Sequence, residues 1–189
     1  MPLTRADLLA RLDELGFETT TMDHPPVFTV AESQELRGKL EGGHTKNLFL
    51  KDKKDRVWLV VAPEDGEIDL KRLHTRIGGQ GRLSFGKPEL LMELLGVVPG
   101  SVTAFAAIND TQGRVTVVLD EALMRHDLLN CHPLTNDATT TIRRDDLIAF
   151  LKGCGHDPQI IAVSGPAEED VAGDASADAA QATAQAATD

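Results

Sequence analysis

Lys46-Asn-Leu-Phe-Leu-Lys-Asp-Lys-Lys-Asp-Arg-Val-Trp-Leu-Val-Val61 sets the architecture of this 189-residue chain. Two short runs rich in Val, Leu and aromatic residues, 46–50 and 56–61, flank the charged connection Lys51-Asp-Lys-Lys-Asp55. Apolar runs of strand length joined by a short polar link read as a β-hairpin. Everything on either side must pack against it.

Upstream, Thr4 is followed three residues later by Asp7. Leu8, Leu9, Leu12 and Leu15 share one helical stripe and Gly16 lies just beyond, which predicts a capped amphipathic helix. Thr29-Val-Ala-Glu32 has the capping-box pattern, so a second short helix is expected to run to about residue 36, after the extended His24-Pro-Pro-Val-Phe28. Downstream, residues 69–76 predict a short helix and 83–85 a short strand. Pro88 suits the first position of a helix over 89–95, which Gly96 stops. Residues 102–108 and 115–119 are expected to be two strands around a turn at Asn109-Asp-Thr-Gln-Gly113. Further strands are expected at 128–132, 139–142 and 159–163, with a helix over 145–152. The sum is a single α/β domain over residues 1–165, with surrounding helices and a mixed, mostly antiparallel sheet.

Charge divides the chain in the same way. Six of the 30 acids and none of the 19 Lys and Arg fall in residues 166–189, leaving the first 165 with 24 acids against 19 bases, a net −5 of the total −11. That Ala-rich stretch holds one Val and no aromatic residue, so it is expected to be a disordered acidic tail. A body at −5 lacks the overall basic surface that tracks nucleic acid by charge alone, so any such contact must be local. No run approaches a membrane span and the N-terminal residues carry no apolar signal core, so a soluble, cytoplasmic protein without a membrane partner is expected. Cys131 and Cys154 form no Cys-x-x-Cys pair, in keeping with a reducing compartment.

Several residues could carry chemistry. Cys131-His132 suggests a thiol dyad, but neighbours on a strand face opposite ways. The six histidines show no metal-ligand spacing, so no metal and no cofactor are expected. Gly78-Gly-Gln-Gly81 lacks the context of a phosphate loop and reads as a turn. Lys46 is either a solvated strand end or a point cation for a phosphate or carboxylate. Gly96-Val-Val-Pro-Gly-Ser101 is either a helix stop with a type II-like turn or a row of backbone N–H donors. His132 is either a structural histidine or part of a site.

Taken together, His24-Pro-Pro-Val-Phe-Thr-Val-Ala-Glu-Ser33, Thr45-Lys-Asn-Leu-Phe-Leu50, Leu83-Ser-Phe85, Leu95-Gly-Val-Val-Pro-Gly-Ser-Val-Thr103 and His132-Pro-Leu-Thr-Asn-Asp137 resemble the YbaK/ProX superfamily of aminoacyl-tRNA editing domains. The resemblance covers about residues 3–163 and is nearest to the free-standing ProX (PrdX) type, which is similar to the editing insert of bacterial prolyl-tRNA synthetase. It implies a YbaK/ProX-like domain and a trans-editing hydrolase that deacylates mischarged Ala-tRNA(Pro). The alternatives are a Cys-tRNA(Pro) deacylase of the YbaK type and a non-catalytic module that binds tRNA ends or nucleotides. The implied partners are the acceptor end of mischarged tRNA and, beyond it, prolyl-tRNA synthetase or an elongation factor.

The family's strand lysine matches Lys46 and its neighbour Asn47; the Gly/Pro loop matches 96–101, and the histidine matches His132. By analogy, Lys46, Asn47, Gly100, Ser101 and His132 would serve catalysis, with Phe28, Val30, Gly96 and Pro99 around the amino acid. An aminoacyl ester is already activated, so an oriented water and stabilisation of the oxyanion suffice. Lys46 would hold the terminal phosphate or adenosine, His132 and Asn47 the ribose and amino-acid moiety, and backbone N–H groups of the Gly/Pro loop the oxyanion. Phe28, Val30 and that loop would wall off proline's ring by steric blockage.

Overall fold

The structure, a computed structural model, describes residues 1–26 and 40–165. The expected capping-box helix after Phe28, and the pocket residues Phe28 and Val30, lie outside the described residues.

The hairpin is present: β2 (Gly43–Lys51) and β3 (Val57–Pro63) pair antiparallel, with Lys46 opposite Ala62 and Asn47 opposite Val61. Asp52 fixes its turn. Its buried carboxylate accepts from the backbone N–H groups of Lys54 (2.8 Å), Arg56 (3.0 Å) and Gln80 (3.0 Å), and from the Arg56 guanidinium at 2.9 and 2.7 Å. Burial opposes its charge, yet these donors outweigh it and bring its pKa down to about 2. β3 is apolar at every position because both its faces are covered. Leu59 and Val61 enter one core; Trp58, Val60 and Ala62 enter another.

Around the hairpin lies one eight-stranded mixed sheet with four antiparallel pairings and three parallel ones. Its order is β1 (Thr19–Asp23), β7 (Ala138–Arg143), β6 (Leu128–Cys131), β2, β3, β5 (Val115–Asp120), β8 (Gln159–Ile161), with β4 (Ser84–Phe85) paired to the far end of β2. α1 (Arg5–Glu14), α3 (Pro88–Leu95) and α4 (Arg144–Gly153) close the larger core through Leu8, Leu12, Leu91, Leu95, Leu147 and Phe150. α2 (Leu73–Arg76) and Leu83 close the smaller one on the opposite face of β3 and β5. α1 begins with a complete capping box, Thr4 and Asp7 each accepting the other's backbone N–H.

One expected strand is corrected. Residues 102–108 do not extend beside β5; Ala104–Asn109 is a 3-10 helix with Thr103 accepting from Phe105 N–H. Ala104, Phe105, Ala106 and Ala107 are all buried, which a half-exposed strand could not achieve, and three alanines let the turn pack closely against α3 and the sheet. Phe105 meets Phe150 edge to face at 5.5 Å. β1 is a strand not expected from the sequence. Its Thr-Thr-Thr run is β-branched, but five residues against β7 give a weak pattern.

Candidate functional site

The face of the sheet on which each residue falls decides which side chains can meet. On β2, Thr45 and Phe49 lie on the face of the larger core, where Thr45 Oγ1 donates to Asn130 O at 2.8 Å and lies 3.6 Å from Cys131 Sγ. Alternation puts Asn47 on that face and Lys46 on the other. The two neighbours therefore leave the strand in opposite directions. The Asn47 side-chain oxygen is buried and has no hydrogen-bond partner among the described residues. Lys46 is partly buried, and its ammonium donates to Gly66 O in the loop after β3.

His132 follows β6. Asn130, two residues earlier, fastens that end of the sheet: its side chain donates to Glu41 O at 3.0 Å and accepts from Thr141 Oγ1 at 2.6 Å. The His132 Nδ1 lies 3.1 Å from Ala138 O. A carbonyl can only accept, so Nδ1 carries the proton and Nε2 presents a lone pair. Burial lowers the His132 pKa below the ordinary histidine value. The Ala138 bond and the negative charges of Glu64 and Asp137 act against this, and His24 reinforces it. The ring is thus neutral at pH 7.

His24 completes the group. It sits just after β1, its backbone N–H on Asp137 O at 2.9 Å, and its ring centroid is 6.3 Å from that of His132. Its Nδ1 is 2.8 Å from Pro25 O and its Nε2 2.9 Å from Thr139 Oγ1, so Nδ1 donates to that carbonyl and both nitrogens have a partner. Arg5 ties the outer rim, 2.6 Å from Asp23 and 3.9 Å from Asp137. The Asp137 pKa is lowered by its Thr135 hydroxyl, with Arg5 and His24 contributing. Glu64 follows the end of β3 and donates its backbone N–H to His44 O at 2.9 Å. His24, Glu64 and Thr139 escaped the sequence reading as site residues. His24 opens one of the quoted motifs, whereas nothing near Glu64 or Thr139 marks them until the strands are aligned.

The 96–101 loop has clear structural work. Gly96 ends α3 at φ 64°, its N–H on Met92 O, and a Cβ there would come within 2.4 Å of Pro2 Cβ and 2.8 Å of Asn109 Nδ2. Asn109 in turn donates to Leu95 O and accepts from Leu3 N–H. Val98, Pro99, Gly100 and Ser101 make a type II turn, with Gly100 at φ 91° and Ser101 N–H on Val98 O at 3.0 Å. The Ser101 N–H is therefore already used. Among the described residues no hydrogen bond or ion pair joins this loop to Lys46 or His132.

Cys131 is buried beside Thr45, and burial pushes its thiol up to about 12. It faces the core while His132 turns toward His24. Among the described residues no three His, Cys, Asp or Glu side chains gather as a metal site.

The mixed sheet thus carries a neutral histidine and a strand lysine on one face. Residues 24–150 match the aminoacyl-tRNA editing domain, and the chain belongs to that family. It is similar to the prolyl-tRNA editing protein ProX of Acetoanaerobium sticklandii, 37% identical over 150 residues, 79% of this chain and 91% of that protein. It is also similar to the prolyl-tRNA synthetase associated domain-containing protein 1 of Danio rerio, 43% identical over 159 residues and covering 83% and 86% of the two chains. A crystal structure of a candidate trans-editing enzyme for prolyl tRNA synthetase shares the fold, with a TM-score of 0.66 at 20% identity over 87% of this chain and 99% of that one.

Proposed function

We propose that this chain is a deacylase that removes alanine from mischarged proline tRNA. The main support is its 37% identity, across most of both chains, to a relative named as a prolyl-tRNA editing protein. The neutral His132 and the Lys46 cation on one face of the sheet supply fitting chemistry. The ester bond between amino acid and terminal ribose needs a water oxygen at the acyl carbon and a proton for the departing ribose oxygen. The ester C–O bond breaks, and the proton lost by the water ends on the ribose hydroxyl. His132 Nε2, a lone-pair acceptor, positions the neighbouring ribose hydroxyl, and Lys46 holds the phosphate or adenosine of the tRNA end. Backbone N–H groups of the 96–101 loop other than those of Gly96 and Ser101 are the candidates for the oxyanion. Deacylation of purified Ala-tRNA(Pro) with multiple turnovers tests the proposal; protection of the charged tRNA without turnover would make the chain a binder.

A further inference from the structure

Phe85 is 61% exposed, although it sits on a strand rather than a loose loop. β4 is only two residues long, but Leu50 pairs with Phe85 and Lys51 with Ser84, and Gly86 N–H donates to Phe49 O at 2.9 Å. The backbone here presses so closely on the sheet that a Cβ at Gly86 would fall 2.3 Å from the Phe49 ring. The Phe85 ring is thus held outward by rigid backbone, where water gains nothing from it.

Its surroundings are cationic on an otherwise acidic chain. Residues 70–88 contain five Lys and Arg and no Asp or Glu, so this stretch departs sharply from the net −5 of the body. Lys51 is the cross-strand partner of Ser84, Lys53 N–H donates to Gln80 O, and a Cβ at Gly81 would meet the Lys53 side chain at 3.0 Å. Arg82 and Lys87 flank β4 in sequence. Lys51 is paired with Asp55 at 2.6 Å and Arg56 with Asp52 at 2.7 Å, whereas Lys53, Arg82 and Lys87 make no ion pair among the described residues. An exposed aromatic ring on a paired strand, with unpaired cations on the same and the adjoining segments, has the chemistry of a single-stranded nucleic-acid platform, the ring taking a base and the cations phosphates.

We propose that Phe85 stacks an unpaired base of the tRNA acceptor end, with Lys53, Arg82 and Lys87 neutralising adjacent phosphates. The inference rests on the tRNA substrate proposed above and says where its strand runs. Lys46 and Leu50, the partner of Phe85, are four residues apart on β2, or about 13 Å at strand rise. A stacked strand advancing about 3.4 Å per nucleotide covers that distance in about four nucleotides, and a more extended one in fewer. An unpaired 3′ end of four nucleotides whose terminal adenosine lies at Lys46 spans only about 10 Å in three stacked steps, so it reaches Phe85 before the duplex begins in the more extended form.

The test is binding of uncharged, fluorescein-labelled proline tRNA transcript by wild type, Phe85→Ala, Phe85→Leu and Phe85→Trp, repeated with a transcript lacking its unpaired 3′ nucleotides. Phe85→Ala and Phe85→Leu should each weaken binding of the full transcript about 5- to 150-fold, while Phe85→Trp binds as tightly as wild type. On the shortened transcript all four should bind alike. The salt dependence should be unchanged in Phe85→Ala, but its log–log slope should fall by about 0.7 for each phosphate that Arg82→Ala or Lys87→Ala leaves without its cation. Equal binding of wild type and Phe85→Ala, or full retention by Phe85→Leu, would overturn the platform even if the protein deacylates tRNA. Weakened binding by Phe85→Ala in a protein that turns over no charged tRNA would keep the platform and remove the deacylase.

Discussion

Replacing His132 with alanine separates a positioning histidine from a general base. One ring nitrogen is already committed to Ala138 O at 3.1 Å, so only Nε2 remains for substrate. A single neutral hydrogen bond contributes about 0.5 to 1.5 kcal/mol, so His132→Ala should lower kcat/KM about 2- to 13-fold. A general base would instead be worth about 100- to 10,000-fold. The same substitution removes a donor from Ala138 O, costing about 1 kcal/mol of stability and about 2 to 4 °C of Tm in a chain of this size. The pH profile follows from the sign of the shift. The folded-state pKa lies below the ordinary value of about 6.5, so the ring keeps its lone pair at neutral pH and activity should fall only at a midpoint below that value. Over the same window the unfolded chain binds a proton that the folded chain does not. Stability is therefore complete above about pH 6.5 and declines as pH drops toward the folded-state pKa, and His132→Ala should flatten that decline. Steady-state deacylation of Ala-tRNA(Pro) between pH 5 and 8, with thermal melts at each pH, measures all three. A loss above about 100-fold in kcat/KM would make His132 a base, and no loss would take it out of the site.

Lys46→Ala, which removes the ammonium and leaves the β2 backbone pairing in place, should cost about 1.5 to 3 kcal/mol in transition-state binding, about 10- to 150-fold in kcat/KM. Unchanged deacylation would make Lys46 only a partner of the Gly66 carbonyl. Gly96→Ala combines a left-handed backbone at φ 64° with close approaches to Pro2 and Asn109, and should destabilise by about 2 to 3 kcal/mol; a melt indistinguishable from wild type would refute that role. Cys131, buried with its thiol raised to about 12, should resist iodoacetamide at pH 8 in the folded protein while activity persists. Rapid alkylation with loss of turnover would return the thiol to the site.

The hairpin was legible in sequence because its two apolar runs and charged turn are local features, as were α1 with its capping box and α3 between Pro88 and Gly96. The strand expected at 102–108 was misread because Ala-Phe-Ala-Ala is apolar without saying whether it extends or coils; only packing against α3 and Phe150 decides for the 3-10 turn. Lys46 and His132 were legible as candidates through motifs. Their environment was not, since His24 and Thr139 meet only through the pairing of β1 with β7, and Glu64 acts on His132 only once β3 has been placed. The alternation that separated Cys131 from His132 also separates Lys46 from Asn47, a consequence of the strand period that treating the two as one motif concealed.

The most direct measurement compares initial rates of deacylation for Ala-tRNA(Pro), Pro-tRNA(Pro) and Cys-tRNA(Pro) at equal concentration. Because one methylene in an apolar pocket is worth only about 1 to 3 kcal/mol, rejection of proline must come from a pocket too small for its ring. The account predicts that alanine is released fastest and that proline tRNA stays charged. Faster release of cysteine, or no turnover of any of the three, would contradict it.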